Sequence, residues 1–183
     1  MTQPPIYRLA AYGAPAPKGS MVCIGQRGPV KHQVIESDTA GHRGRWRAEL
    51  TAAIEDLTAH IGGSLAGPVI VGLVVYIEQA PSNRDPLPIG RNTGDVDKHT
   101  RMTLDALTDG NAITDDSRVT LVLGAKTWAH QRPPGATVYL AHARPGAALR
   151  ILAAMLREAP ELELDAPTDT DKETPSDGLV QGR

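Results

Sequence analysis

The chain has 183 residues, 40% of them apolar, a formal net charge of −2, one cysteine and no phenylalanine. That length suits a single domain with a real core and excludes two large ones. The lone Cys23 excludes an internal disulfide framework, and the N-terminus lacks the basic-then-apolar pattern of a secretion signal, so a soluble protein of a reducing cytoplasm is expected.

Taken in order, Ile6 to Tyr12 reads as a first strand. Gly13 to Ser20 is too rich in Pro and Gly for a helix and should run extended before turning. Met21 to Ile24 and Val30 to Ile35 flank Gly25–Pro29 in the manner of a hairpin. Lys18, Arg27, Lys31 and His32 make this region basic, which is either solvated loop charge or contact with phosphate. Gly41 to Ile61 is the clearest helix, with Trp46, Leu50, Ala53, Ile54, Leu57 and Ile61 on one face. Arg43, Arg45 and Arg47 oppose the helix dipole in its first turns, so either water or a phosphate backbone should account for them. Pro68 to Ile77, rich in Val and Ile, reads as a central strand buried on both faces; at this length it is far short of a membrane span. A loop with Pro81, Pro86 and Pro88 follows.

The residues from Gly94 to Val119 carry the most chemistry. Asp95 and Asp97 stand two apart and open a short helix that carries Arg101 and Asp105; Asp109-Gly110-Asn111 turns the chain, and Asp115-Asp116 precedes an apolar run to Leu123 that reads as a strand. Elements joined by a short turn are spatial neighbours, so Asp95, Asp97 and Asp116 are expected at one point. Three carboxylates make a hard, all-oxygen site of the kind Mg²⁺ prefers, and Arg101, one turn from Asp97, suits it to a phosphate ester. The plain alternatives are a helix N-cap for Asp97 and a turn for Asp115-Asp116. Beyond them, Gly135 to His142 is another strand, and Pro145 opens a last helix bearing Ala148, Ile151, Leu152, Met155 and Leu156.

From Pro160 onward seven acids stand against Lys172 and Arg183, leaving a formal +3 over residues 1–159. A body of that sign permits a polyanionic partner. We therefore expect a domain over residues 1–159 and an acidic, disordered tail over 160–183. The order of elements is not a βαβα alternation. It predicts an α+β fold, a two-layer sandwich of a mixed β-sheet with helices packed on one face. Gly-x-Ser-x-Gly and P-loop signatures are absent, and one Cys with scattered His does not make a zinc site.

The stretch Asp95-Val-Asp97-Lys98-His99-Thr-Arg101, then Asp105-Ala-Leu107, then Asp115-Asp116-Ser-Arg-Val119 resembles the signature of the RusA family of Holliday junction resolvases, Asp-x-Asp-Asn-Leu-x-Lys, Asp-Ala-Leu and Asp-Asp-x-x-Val. Pro15-Ala-Pro-Lys18 is similar to that family's N-terminal Pro-x-Pro-Lys, and Lys126 with Pro134 to Leu140 to its closing hairpin; the likeness runs roughly from Tyr7 to His142. It implies a Mg²⁺-dependent endodeoxyribonuclease, Mn²⁺ substituting, that resolves four-way DNA junctions in recombination and repair as a homodimer, in the cytoplasm of a bacterium or encoded by a phage. By this likeness Asp95, Asp97 and Asp116 are the catalytic metal ligands, with Arg101 in place of the family's Lys. Asp105 and Asp115 would support the site or serve structure. Lys18, Arg27, Lys31, Arg43, Arg45, Arg47 and Lys126 are the candidate DNA contacts.

Three positions depart from the pattern. Lys98 replaces Asn and sets a cation beside the carboxylates, either to weaken metal binding or to contact the scissile phosphate. His99 replaces an inward Leu and reads as exposed, as a partly buried core residue or as a ligand. Arg101 replaces Lys, and a guanidinium stays protonated in proteins, which suits charge stabilisation and rules it out as general base. A catalytically inactive junction- or duplex-binding protein, and a nuclease for other branched nucleic acids, are the competing readings. Strand Val69–Ile77 and the last helix are the candidate dimer surfaces.

Overall fold

A computed structural model describes residues 4–19, 21–23, 34–36 and 41–162. Arg27, Lys31, His32 and the acidic tail from residue 163 lie outside the described residues. In chain order the elements are β1 (Tyr7–Tyr12), β2 (Met21–Cys23), β3 (Val34–Glu36), α1 (His42–Ile61), β4 (Val69–Ile77), α2 (Val96–Asp109), β5 (Val119–Trp128), β6 (Gly135–His142) and α3 (Ala147–Glu158). β2 and β3 pair antiparallel as the expected hairpin, Met21 opposite Glu36 and Cys23 opposite Val34.

The main sheet has the order β1-β6-β4-β5. β6 runs antiparallel to both β1 and β4, whereas β4 and β5 are parallel, from Val69 beside Val119 to Ile77 beside Trp128. A parallel pair needs a crossover between its strands, and α2 lies in that connection. The sheet is therefore mixed and the fold α+β, as the element order predicts.

β4 explains how the helices are distributed. Its side chains alternate between two cores: Val69, Val71, Leu73 and Val75 face α1 and α2, through Leu50, Ile54, Met102 and Leu107; Ile70, Val74 and Tyr76 face α3, through Ile151 and Met155. Gly72 lies beneath α3, where a Cβ would stand 2.4 Å from Ile151 Cγ2, so the helix rests on bare backbone there. The expectation of two layers with helices on one face is thus corrected to three layers. A strand apolar on both faces needs a cover on each, and α3 supplies the second.

Two further readings change. β4 as a dimer surface is overturned, because it is flanked by β6 and β5 and buried nearly throughout. α3 keeps an exposed outer side with Leu149 and Leu152, while Ala147, Ile151 and Met155 turn inward. β5 continues beyond Leu123 to Trp128, since Gly124 to Thr127 pair with β4 despite weak strand propensity. Among the described residues no helix is long and apolar enough to cross a membrane.

Candidate functional site

The acidic stretch begins on a tightly held turn. A 3-10 turn over Arg91–Thr93 leads into Gly94, whose φ of 73° and ψ of 163° belong to glycine territory. A Cβ there would lie 2.7 Å from Pro17 Cγ and 2.8 Å from His99 Nε2. Asp95 then takes the N-cap position of α2 in extended backbone, its carbonyl accepting from the amides of Lys98 and His99, both at 3.1 Å. The Asp95 carboxylate makes no capping bond and takes Lys98 Nζ at 2.8 Å instead. Asp97, in the first turn, has Arg101 Nη2 at 3.8 Å. Both carboxylates are well exposed, at 66% and 60%, as is Arg101 at 68%. The hydrogen bond from Lys98, and then its charge, hold the Asp95 carboxyl below its ordinary range.

Two side chains fix this turn from below. His99 is 2% exposed, and its Nε2 lies 2.9 Å from the Thr93 carbonyl. A carbonyl only accepts, so Nε2 carries the proton and Nδ1 is buried without a hydrogen-bond partner among the described residues. Burial pushes the imidazole pKa down, the Thr93 bond opposes this, and the Lys126 charge adds to the depression. His99 is therefore a core residue of the turn. Lys126 reaches from β5 to donate to the Gly94 carbonyl at 2.6 Å and Thr93 Oγ1 at 2.9 Å. The ammonium expected as a DNA contact thus gives two of its three N–H donors to backbone and hydroxyl acceptors inside the turn, and burial lowers its pKa.

The other basic candidates divide the same way. Lys18 donates its amide to the Lys98 carbonyl at 3.1 Å and its Nζ to Asp105 Oδ2 at 2.5 Å, so this pair lashes the Pro15–Lys18 segment to α2. That gives Asp105 a structural role. Arg43 Nε donates to the Pro17 carbonyl at 2.9 Å, and Arg47 pairs with Asp109 at 2.6 Å. Arg45 is exposed, its side chain with no hydrogen bond or ion pair among the described residues, which leaves its guanidinium open to a phosphate.

Asp116 is elsewhere. Asp115 caps a 3-10 turn over Asp116–Arg118, its Oδ1 accepting from the Ser117 amide at 2.8 Å, so Asp115 is structural. Asp116 is exposed on that turn, just before β5 starts. The other end of α2 marks the distance: a Cβ on Gly124, midway along β5, would touch Val96 and Thr100. From Gly124 back to Val119 is ~16 Å at roughly 3.3 Å per residue. α2 and β5 are neighbours as predicted, but they run in opposite senses, so carboxylates at the two ends of the helix stay apart. Among the described residues no three His, Cys, Asp or Glu side chains could together hold a metal ion. Of the three carboxylates, Asp95 and Asp97 stand at the start of α2 and Asp116 on the turn that precedes β5.

That pair still suits a hard cation. Mg²⁺ is commonly held by one or two carboxylates, with waters and substrate phosphate oxygens completing its shell. Lys98 and Arg101 compete for the same oxygens. Two residues that hold the corner, Thr93 and Gly94, escaped the sequence reading; the run Thr93-Gly94 immediately before the first Asp was the available signal. In comparisons with protein-family models and with curated proteins, nothing matches this chain.

Proposed function

We propose that this protein is a structure-specific endodeoxyribonuclease of the RusA kind, cutting four-way DNA junctions by paired, symmetric nicks. The observation that carries the reading is the corner at the start of α2. There two exposed carboxylates and two cations, Lys98 and Arg101, lie within the first two turns of α2, entered through a corner that Gly94, His99 and Lys126 hold. A preorganised acid–base corner of this kind suits hydrolysis of a phosphodiester, where charge builds on the phosphoryl oxygens.

Asp95 and Asp97 would hold Mg²⁺, which when bound supplies a Lewis acid and a source of nucleophilic water. Arg101, with its planar fork of N–H donors, orients the scissile phosphate and offsets its growing charge. Lys98 leaves Asp95 as phosphate arrives and becomes a second anion contact. Arg45, exposed on α1 with no side-chain partner among the described residues, would meet the flanking backbone. Two cuts related by the junction's approximate two-fold axis call for two copies of the chain related in the same way.

A second reading has its own observation. Lys98 already neutralises Asp95, and Asp116 does not join the pair; a junction-binding protein without catalysis fits both facts. A substrate panel separates the readings. With Mg²⁺ or Mn²⁺, initial cleavage rates on a four-way junction should exceed those on a flap, a fork and a linear duplex by about tenfold or more. Equal rates on all branched forms would make it a general branch nuclease. Salt-sensitive binding with no cleavage of any substrate would establish the binding protein.

A further inference from the structure

A second cationic site lies on the other side of the sheet from α1 and α2, where β1, β4, β6 and the end of α3 meet around a cavity of about 410 Å³. Arg8, Tyr76, Arg132, Thr137, Arg157 and Glu158 give it its polar lining. Its centre is Glu158, whose side chain is 19% exposed. One carboxylate oxygen accepts from Arg8 Nε at 2.5 Å; the other accepts from the Tyr76 hydroxyl and Thr137 Oγ1, both at 2.9 Å. Arg132 also turns to this residue, with Nη2 donating to the Glu158 carbonyl at 2.9 Å and Nη1 at 3.8 Å from the carboxylate.

One carboxylate thus serves two guanidiniums while three of its acceptor sites are already taken. Arg132 is further fixed by stacking over the Tyr76 ring, 4.2 Å from its centroid. Each guanidinium has five N–H donors in a rigid fork. Arg8 and Arg132 remain 52% and 42% exposed, so donors are left over on both. Arg157 borders the same cavity, exposed, its side chain with no hydrogen bond or ion pair among the described residues. Three guanidiniums against one carboxylate leave a formal +2 around a cavity of the size that small-molecule sites occupy, about 300–1,000 Å³. Held in place, partly unsatisfied and in excess, they match a doubly charged oxyanion better than a single carboxylate.

We propose that this cavity binds phosphate, with Arg157 and the free N–H groups of Arg8 and Arg132 as its contacts and Glu158 as the residue that holds two of the three in position. The phosphate belongs either to a DNA backbone laid across the α3 side of the molecule or to a free phosphorylated compound. The site stands whether or not the α2 corner cuts DNA.

The test is a ¹H–¹⁵N titration of the full chain, first with pyrophosphate and then with a short DNA duplex, at constant ionic strength set with chloride. Pyrophosphate should shift the backbone amides of Arg132, Thr137 and Arg157 saturably. Arg157→Glu should weaken that binding about tenfold, and Arg45→Glu, on the opposite side of the sheet, should leave it unchanged. The Arg157 side chain has no hydrogen bond or ion pair among the described residues, so its replacement leaves the Glu158 network intact. Duplex that shifts the same amides and competes with pyrophosphate assigns the site to DNA; duplex that does neither assigns it to a free phosphorylated ligand. Absence of saturable shifts from both probes, or equal binding by Arg157→Glu, overturns the proposal.

Discussion

Gly94 has no room for a side chain, and its backbone angles suit no residue that carries one. Gly94→Ala should therefore cost about 2–4 kcal/mol from strain and overpacking against Pro17 and His99. Because Asp95 follows directly, the carboxylate should also shift. Chemical denaturation and the spectrum of residues 93–99 would read both effects. His99 is legible in the sequence only as an oddity. A histidine at a helix position gives no sign of burial until the turn that covers it is known, and that turn depends on Pro17, distant in sequence. Its lowered pKa sets a direction for acid sensitivity. The unfolded imidazole takes a proton below its ordinary 6.5, while the buried one resists it. Its contribution is complete above that pH and is lost as pH falls below 6.5 toward the depressed folded value. His99→Leu should flatten stability across that window and change it at neutral pH by no more than about 1.5 kcal/mol, the worth of the Thr93 bond. Urea denaturation of both proteins at pH 5 and pH 7.5 tests this.

At the scale of elements, β4 announces two buried faces by being apolar throughout, and α1 announces its stripe by spacing. What covers the second face is not in that pattern. α3 does so through Gly72, a position where the missing side chain matters, and through Glu158, whose partners come from β1, β4 and β6. Contacts between residues so far apart leave no local mark. Lys126 escaped for the same reason: it looked like a surface cation because the turn it pins lies across the crossover. Glu158 should be the acid-labile tie of the α3 layer. Burial would raise its carboxyl, but hydrogen bonds from Arg8, Tyr76 and Thr137 outweigh this and hold it at about 2, below the ordinary 4.5. The stability it adds is full above pH 4.5 and is lost as pH falls from there toward 2. Glu158→Gln should cost about 2–3 kcal/mol at pH 7 by leaving Arg8 and Arg132 without their counter-ion, and the cost should shrink at pH 3. Denaturant midpoints at the two pH values give the answer.

Over the whole molecule, the sheet separates two cationic regions. The α2 corner, with Arg45 nearby on α1, lies to one side, and the Arg8, Arg132 and Arg157 cavity to the other. The first was readable because its residues are nearly consecutive: spacing alone put Arg101 one turn from Asp97, with Asp95 two residues before. The convergence of Asp116 was not, since a short connection makes α2 and β5 neighbours without making their far ends meet. Nor was the second region, assembled from β1, β6 and α3. The proposed activity rests on the α2 corner, and one measurement tests it most directly. A labelled four-way junction is incubated with Mg²⁺ and the wild-type chain, Asp95→Asn or Asp97→Asn, with binding followed in parallel. We predict symmetric nicks by the wild type, loss of cutting by at least about a hundredfold in either variant, and junction binding retained in both. Tight binding by the wild type with no nicks under Mg²⁺ or Mn²⁺ would contradict the account and leave a junction-binding protein in its place.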